Sequence, residues 1–87
     1  MVYSLEISEE LDKKFGKLNN KDKKQLEIIN KKIKQILEIP FHFKPLRGDM
    51  HGVRRVHIDK SFILTYEIDE IRKVIRLLDY DHHDKIY

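Results

Sequence analysis

Hydrophobic and polar residues alternate in four short segments of the chain and recur at helical spacing in two longer ones. Strict alternation over a few residues predicts a half-buried strand, because successive strand side chains point to opposite faces. Apolar residues three or four positions apart predict the buried face of a helix. The strand segments are residues 2–7, 53–58, 62–68 and 74–80.

Two helices are predicted between the first and second strands. Ser8 can cap the first helix, which carries two glutamates in its first turn and is expected to end at the Asn-Asn pair 19–20. The second runs from about residue 21 to 38 and ends before Pro40, because proline disfavours a helical conformation in the residue before it. The apolar positions of the two helices are Leu11, Phe15, Leu18, Leu26, Ile29, Ile33, Ile36 and Leu37.

The order β-αα-βββ predicts an α+β fold with a mainly antiparallel sheet covered on one face by the N-terminal helix hairpin. A chain of 87 residues suffices for one domain, so residues 1–87 are expected to form a single domain. Alternation in the second strand directs Arg54, Val56 and Ile58 toward the helices. Arg55 and His57 then share the open face of the sheet.

Several classes of protein are excluded by composition. No apolar run is long enough to span a membrane, and the N-terminus lacks the pattern of a signal peptide. There are no cysteines, which excludes disulfides and thiolate metal sites. The cytoplasm is therefore the expected location, without membrane association.

The positive charge is concentrated in the middle of the chain. Residues 41–64 hold five basic and two acidic side chains, and every arginine lies at or after Arg47. Arginine offers a planar fork that matches phosphate, so this region is expected to bind an anionic partner, namely RNA. The alternative is a set of scattered surface charges with no common ligand. The candidate groups are Lys44, Arg47, Arg54, Arg55 and His57.

The C-terminal residues 79–84 are dense in carboxylates and imidazoles, which makes a divalent metal site an alternative to consider. Adjacent histidines point to opposite sides of an extended chain, so His82 and His83 are expected to be poorly placed to share one ion. An acid or base role suits these histidines better, because imidazole titrates near neutral pH. The final residue, Tyr87, could pack on the core, stack on a base or donate a proton.

Three stretches together resemble the RelE/ParE superfamily of bacterial and archaeal toxins. They are the Pro-Leu-Arg-Gly turn at 45–48, the Arg-Val-His strand at 55–57 and the His-His-Asp-Lys-Ile-Tyr ending at 82–87. The resemblance covers essentially the whole chain and implies the same β-αα-βββ order. It points to the RelE branch with YafQ-like histidines, and hence to the toxin of a type II toxin–antitoxin pair.

That resemblance implies a metal-independent endoribonuclease that cleaves mRNA in the ribosomal A site by attack of a ribose 2′-hydroxyl on the adjacent phosphate. It implies no cofactor, and a cognate RelB-like antitoxin as partner in a hetero-oligomer. Catalytic roles carry over to His57, Arg55, His83 and Tyr87, and RNA-binding roles to Lys44, Arg47, Arg54 and His82.

The chain departs from the RelE pattern at two positions. Ile63 and Asp81 stand where RelE carries arginines, which indicates a variant that relies on histidine. The alternative is a ParE-like toxin that binds and poisons DNA gyrase without cutting RNA. A third possibility is a non-toxic module that binds an acidic protein.

Overall fold

A computed structural model describes residues 2–45 and 52–86 of the chain, with side chains up to Asp84. A four-stranded sheet and two long helices account for most of these residues. Their bounds are β1 Ser4–Ile7, α1 Glu9–Lys21, α2 Lys23–Glu38, β2 Val53–Ile58, β3 Phe62–Asp69, β4 Val74–His82 and α3 His83–Ile86.

The sheet has the strand order β1-β4-β3-β2. β2 pairs antiparallel with β3 and β3 with β4, whereas β1 lies parallel to β4 at the opposite edge. The α+β class and the β-αα-βββ order predicted from the sequence are therefore confirmed, with a one-turn helix added after β4. The same end of the sheet holds the last residues of β2 and β4, because both strands run antiparallel to β3.

The helix hairpin is defined by two side-chain caps. Ser8 accepts a hydrogen bond from the Leu11 amide at 3.2 Å, as its position in the sequence predicts. The expected end of α1 at residues 19–20 is wrong, since the helix continues to Lys21. Asp22 supplies the real boundary, because its carboxylate accepts from the Gln25 amide at 3.1 Å and starts α2.

The core lies between the helix hairpin and one face of the sheet. Ile29, Ile33 and Val56 are buried there together, while Leu26 is only partly buried against the same cluster. Strand alternation in β2 is confirmed, since Val56 and Ile58 are buried and His57 is exposed. The remaining buried members of the cluster are Leu11, Phe15, Ile36, Leu37, Leu64, Tyr66, Ile75, Leu77 and Tyr80.

Two buried tyrosines carry the polar bonds that fix the layers. Gln25 of α2 donates from Nε2 to the Tyr80 hydroxyl of β4 at 2.8 Å, which ties the second helix to the sheet. Tyr66 of β3 donates from its hydroxyl to the Pro40 carbonyl at 2.6 Å. This second bond holds the start of the connection after α2 against the sheet.

Among residues 2–45 and 52–86, no helix combines the length and apolarity needed to cross a bilayer.

Candidate nucleic-acid interface

Arg54 shapes the segment that leaves α2. Its Nη1 donates to the Phe43 carbonyl at 2.6 Å, and its guanidinium lies 5.2 Å from the centre of the Phe41 ring. Its Nε is buried without a hydrogen-bond partner. The RNA contact expected of Arg54 stays a prediction, and the structure shows this guanidinium engaged with protein carbonyls.

The same segment extends the free edge of β2. The Arg55 amide donates to the Lys44 carbonyl at 3.0 Å, and Arg55 Nη1 donates to the Pro45 carbonyl at 3.0 Å. Pro45 also forms an antiparallel bridge with Arg54. These bonds fix the backbone at Lys44 beside the strand that carries His57.

A hollow of about 360 Å³ forms where this segment, α2 and β2 meet. Phe43 and Val56 supply apolar surface, and Lys32 Nζ lies 6.0 Å from the centre of the Phe43 ring. No acidic side chain is among the described residues that line this hollow, so its potential is positive. We call it the basic pocket; its lining residues are Lys32, His42, Phe43, Lys44, Arg55, Val56 and His57.

His57 is the exposed imidazole of this pocket. Within residues 2–45 and 52–86, neither a hydrogen bond nor an ion pair engages its ring, although Arg55 precedes it by two positions on the same face of β2. A strand residue has a fixed direction, so the imidazole and the guanidinium can both approach one phosphodiester. Arg55 and His57 share one face of β2, as alternation predicts, but their β3 neighbours Thr65 and Ile63 are buried, so this face is not open throughout.

The other end of the sheet carries an excess of negative charge around the paired arginine Arg76. Arg76 of β4 contacts Glu6 at 3.1 Å and Asp69 at 3.8 Å, and it also pairs with Glu67. The hydrogen bonds to Glu6 and Glu67 raise the pKa of Arg76. Surrounded by carboxylates, this arginine adds little positive field, in contrast to the cationic groups of the basic pocket.

His82 and His83 lie at the same end of the sheet as His57. Cross-strand pairing aligns Ile58, Phe62 and His82 in one row. With strands about 4.8 Å apart, roughly 10 Å separates the β2 and β4 backbones. The His83 amide donates to the Ser61 carbonyl at 2.8 Å, which anchors the start of α3 at the turn between β2 and β3.

The row of paired residues that contains His57 also contains Ile63 and Asp81, the two positions where the resemblance expects arginines. His57, Ile63 and Asp81 are aligned across β2, β3 and β4. Ile63 is completely buried, and Asp81 lies 3.6 Å from Lys14 of α1. Neither position supplies a cation, so any stabilisation of a phosphate must come from Arg55 and the lysines of the basic pocket.

Two of the expected site residues, Arg47 and Tyr87, lie outside the described residues. Three residues of the basic pocket were not anticipated from the sequence, namely Lys32, His42 and Phe43. Lys32 directly precedes Ile33 and so borders the buried face of α2. This position is the feature of the sequence that could have indicated a place near the sheet. The fold of the segment after Pro40, which brings Phe43 and Lys44 back to β2, leaves no periodic trace in the sequence.

Comparison with known proteins identifies relatives over the full length. No protein-family model matches the chain. A protein of Methanosarcina mazei is 55% identical over 99% of the chain and 100% of its own length. The putative toxin RelE4 of Methanocaldococcus jannaschii is 46% identical over 99% of this chain and 92% of its own length.

Solved toxin structures share the fold. The free-state structure of an E. coli RelE mutant matches with a TM-score of 0.81 and 24% identity, covering 100% of this chain and 92% of that one. The RelBE2 toxin–antitoxin complex of Mycobacterium tuberculosis contains a chain that matches with a TM-score of 0.74 and 20% identity, covering 95% of this chain and 100% of that one. The full-length relationship to the archaeal RelE4 protein and the common fold lead to one conclusion: the chain belongs to the RelE/ParE family, as the toxin of a RelBE-type toxin–antitoxin system.

Proposed function

We propose that this toxin is a ribosome-dependent endoribonuclease that cleaves mRNA in the ribosomal A site. The observation that carries the proposal is the exposed imidazole of His57 beside Arg55, in a pocket whose other charged groups, Lys32 and Lys44, are cationic. Such a pocket attracts a phosphate backbone and places an acid–base group against it. The site of action would then be the cytoplasm, where the ribosomes are.

The reaction requires a base, an acid and cationic stabilisation, without a cofactor. His57 accepts the proton of the ribose 2′-hydroxyl, whose oxygen attacks the adjacent phosphorus. The bond from phosphorus to the 5′-oxygen breaks, which leaves a 2′,3′-cyclic phosphate and a 5′-hydroxyl. Arg55 stabilises the charge on the phosphoryl oxygens in the transition state.

The departing 5′-oxygen takes its proton from the C-terminal segment. His83 is held there by the hydrogen bond from its amide to the Ser61 carbonyl, and it directly follows His82, which lies in the strand row next to that of His57. The separation of roughly 10 Å between the β2 and β4 backbones leaves room for a nucleotide between the two groups. Tyr87 is the second candidate for the acid, or a surface on which the flanking base stacks.

RNA contacts around this centre come from two kinds of group. Lys32, Lys44 and Arg47 are proposed to bind phosphates, which gives affinity without sequence preference. His42 is exposed next to Phe43, with their ring centres 5.1 Å apart, and offers a flat surface for a base. His82 retains the RNA-binding role proposed from the sequence, whereas Arg54 is proposed to hold the segment that carries Lys44 in place.

A RelB-like antitoxin is the proposed partner in the resting state, in a hetero-oligomer with the toxin. The structural neighbour from Mycobacterium tuberculosis is a toxin–antitoxin complex, which supports a partner of this kind. An antitoxin segment that covers the basic pocket would have to carry acidic side chains. A segment of that composition is commonly disordered alone and folds on binding.

The test is cleavage of a defined mRNA on purified ribosomes, mapped by primer extension. His57→Ala should reduce the cleavage rate by about 100-fold or more, the usual contribution of a general base, while a Lys60→Ala control in the exposed β2–β3 turn cleaves like the wild type. Ribosome-bound mRNA that stays intact with the wild-type toxin would contradict the proposal. Growth arrest with intact mRNA and inhibited DNA gyrase would instead establish the ParE-like alternative.

A further inference from the structure

We propose that His82, His83 and Asp84 form a binding site for a first-row divalent transition-metal ion such as Zn²⁺ or Ni²⁺. The inference concerns residues at the junction of β4 and α3 and does not require the nuclease activity proposed above, although His83 belongs to both sites. Each residue offers one ligand atom, and the three atoms lie within 4.8 Å of one another. We call these three residues the His-His-Asp cluster.

The backbone at this junction is the reason that two adjacent histidines can share an ion. An extended chain would send the two side chains to opposite sides of the sheet. Here β4 ends at His82 and α3 begins at His83, so the backbone changes direction between them. The ring centres are consequently 6.4 Å apart, and the expectation that the two rings diverge does not hold.

Asp84 lies between the two imidazoles. One carboxylate oxygen is 3.6 Å from His82 Nδ1, and the other is 3.2 Å from His83 Nδ1. Ligand atoms at about 2.05 Å from a tetrahedral ion are separated by roughly 3.3 Å, which these two distances bracket. Small rotations of exposed side chains would complete the geometry, and water can fill the remaining position.

The donor set selects the kind of ion. Imidazole nitrogen suits zinc, nickel and copper, whereas Mg²⁺ and Ca²⁺ prefer sites built from oxygen. Two imidazoles and one carboxylate with an open position therefore favour a transition metal. All three side chains are accessible to an entering ion, since His82, His83 and Asp84 are 43%, 50% and 76% exposed.

Contacts with two neighbouring residues hold both histidines of the cluster. The His82 ring packs edge-on against Phe62, with ring centres 5.5 Å apart, and the His83 amide donates a hydrogen bond to the Ser61 carbonyl. Both partners belong to the β2–β3 turn or the first residue of β3, so the ligand residues rest on the sheet. An ion bound here would occupy the imidazole of His83, and the same ring could not then donate a proton to RNA.

Calorimetric titration of tag-free, chelator-treated toxin with ZnCl₂ and with NiCl₂ tests the site. We expect saturable binding of one ion per chain and none with MgCl₂. Asp84→Asn and His82→Ala should each weaken metal binding by about 10–100-fold or more. Loss of a group that only orients a metal ligand already has an effect of that size, and loss of the ligand itself should have at least the same effect. The control His42→Ala, in the basic pocket, should bind like the wild type.

Thermal unfolding of each variant without metal shows whether the variant is folded. If a variant shows no unfolding transition, metal-dependent shifts of the His82 and His83 imidazole signals in the NMR spectrum of the wild-type toxin provide the second measurement. Absence of saturable binding would overturn the proposal. So would binding that persists in both cluster variants and disappears in His42→Ala, since the ion would then sit in the basic pocket.

Discussion

The amide of Arg55 donates to the carbonyl of Lys44 at 3.0 Å, and this bond joins two residues of the basic pocket that the sequence separates by a proline-containing connection. The pairing is local to the free edge of β2, where no further strand among the described residues competes for the donor. This backbone bond, together with the Arg55 side-chain bond to the Pro45 carbonyl, therefore sets the spacing between the lysine and the arginine.

The two neighbouring arginines of β2 should respond differently to truncation. Arg55→Ala should lower the slope of log affinity for RNA against log salt concentration by about 0.7–0.9, the effect of one lost phosphate contact. Arg54→Ala should leave that slope unchanged and reduce the free energy of unfolding by about 1–3 kcal/mol, because the Phe43 carbonyl loses a charged donor. Salt-dependent binding to ribosomes and urea unfolding measure the two effects. The reverse pattern would show that Arg54 is the residue that binds phosphate.

Lys32 should contribute to RNA binding although it lies on a helix whose other lysines face solvent. Lys32→Ala is expected to weaken ribosome binding by up to about fivefold, which corresponds to about 1 kcal/mol for an accessible charge pair. Lys31→Ala removes the same charge one position away, outside the basic pocket, and serves as the matched control. Equal effects of the two substitutions would mean that only the net charge of α2 matters.

The core placement of α2 can be tested with a pair of isoleucines. Ile33 is 9% exposed in the cluster beneath the sheet, while Ile71 in the β3–β4 turn is 96% exposed. Ile33→Ala should reduce the free energy of unfolding by about 2–5 kcal/mol, because it leaves a cavity in a small core. Ile71→Ala should change it by less than about 0.5 kcal/mol. Denaturant unfolding at neutral pH gives both values, and similar stabilities for the two variants would refute the assignment.

Tyr66 should make the protein sensitive to alkaline pH. Burial raises the pKa of Tyr66 to about 12. The unfolded chain releases this proton near pH 10, whereas the folded protein retains it, so stability is complete below pH 10 and falls as the pH rises toward 12. Tyr66→Phe removes this contribution to the pH dependence.

The same substitution also removes the bond to the Pro40 carbonyl. At pH 8 we therefore expect Tyr66→Phe to be less stable than the wild type by about 1–3 kcal/mol, and the difference to shrink at pH 11. Urea unfolding followed by circular dichroism at both values measures it. A difference that stays constant between the two pH values would show that ionisation of Tyr66 does not reduce the stability of the wild type at high pH.

The elements with strong periodicity could be predicted from the sequence, because burial of one face leaves a regular pattern. Alternation predicts a strand over residues 53–58, which are the bounds of β2, and it also predicts that Val56 is buried and His57 is exposed. The prediction that α1 ends at residues 19–20 is wrong because capping decides the boundary. The start of α2 is capped by Asp22 and not by either of the two asparagines before it.

The candidate site was only partly predictable for a different reason. Arg55 and His57 follow from strand phase, but the contribution of Lys32 and Phe43 depends on how an irregular segment folds back. That path is fixed by Arg54 and by the Tyr66 bond to Pro40, which are tertiary contacts between residues far apart in the sequence. Likewise, the His-His-Asp cluster depends on the change from strand to helix after His82, which the polar ending did not indicate.

The parallel pairing of β1 with β4 has a consequence for how the protein is made. Ser4 is aligned with Val74, so the 69 residues between the two partners must be synthesised before they can pair. At roughly 5–20 residues per second, the first strand waits several seconds for its neighbour. A ribosome encloses the most recently added part of a chain, so β1 stays unpaired until β4 has emerged. The sheet can close only then, and a nascent chain that still lacks β4 is not yet a folded toxin.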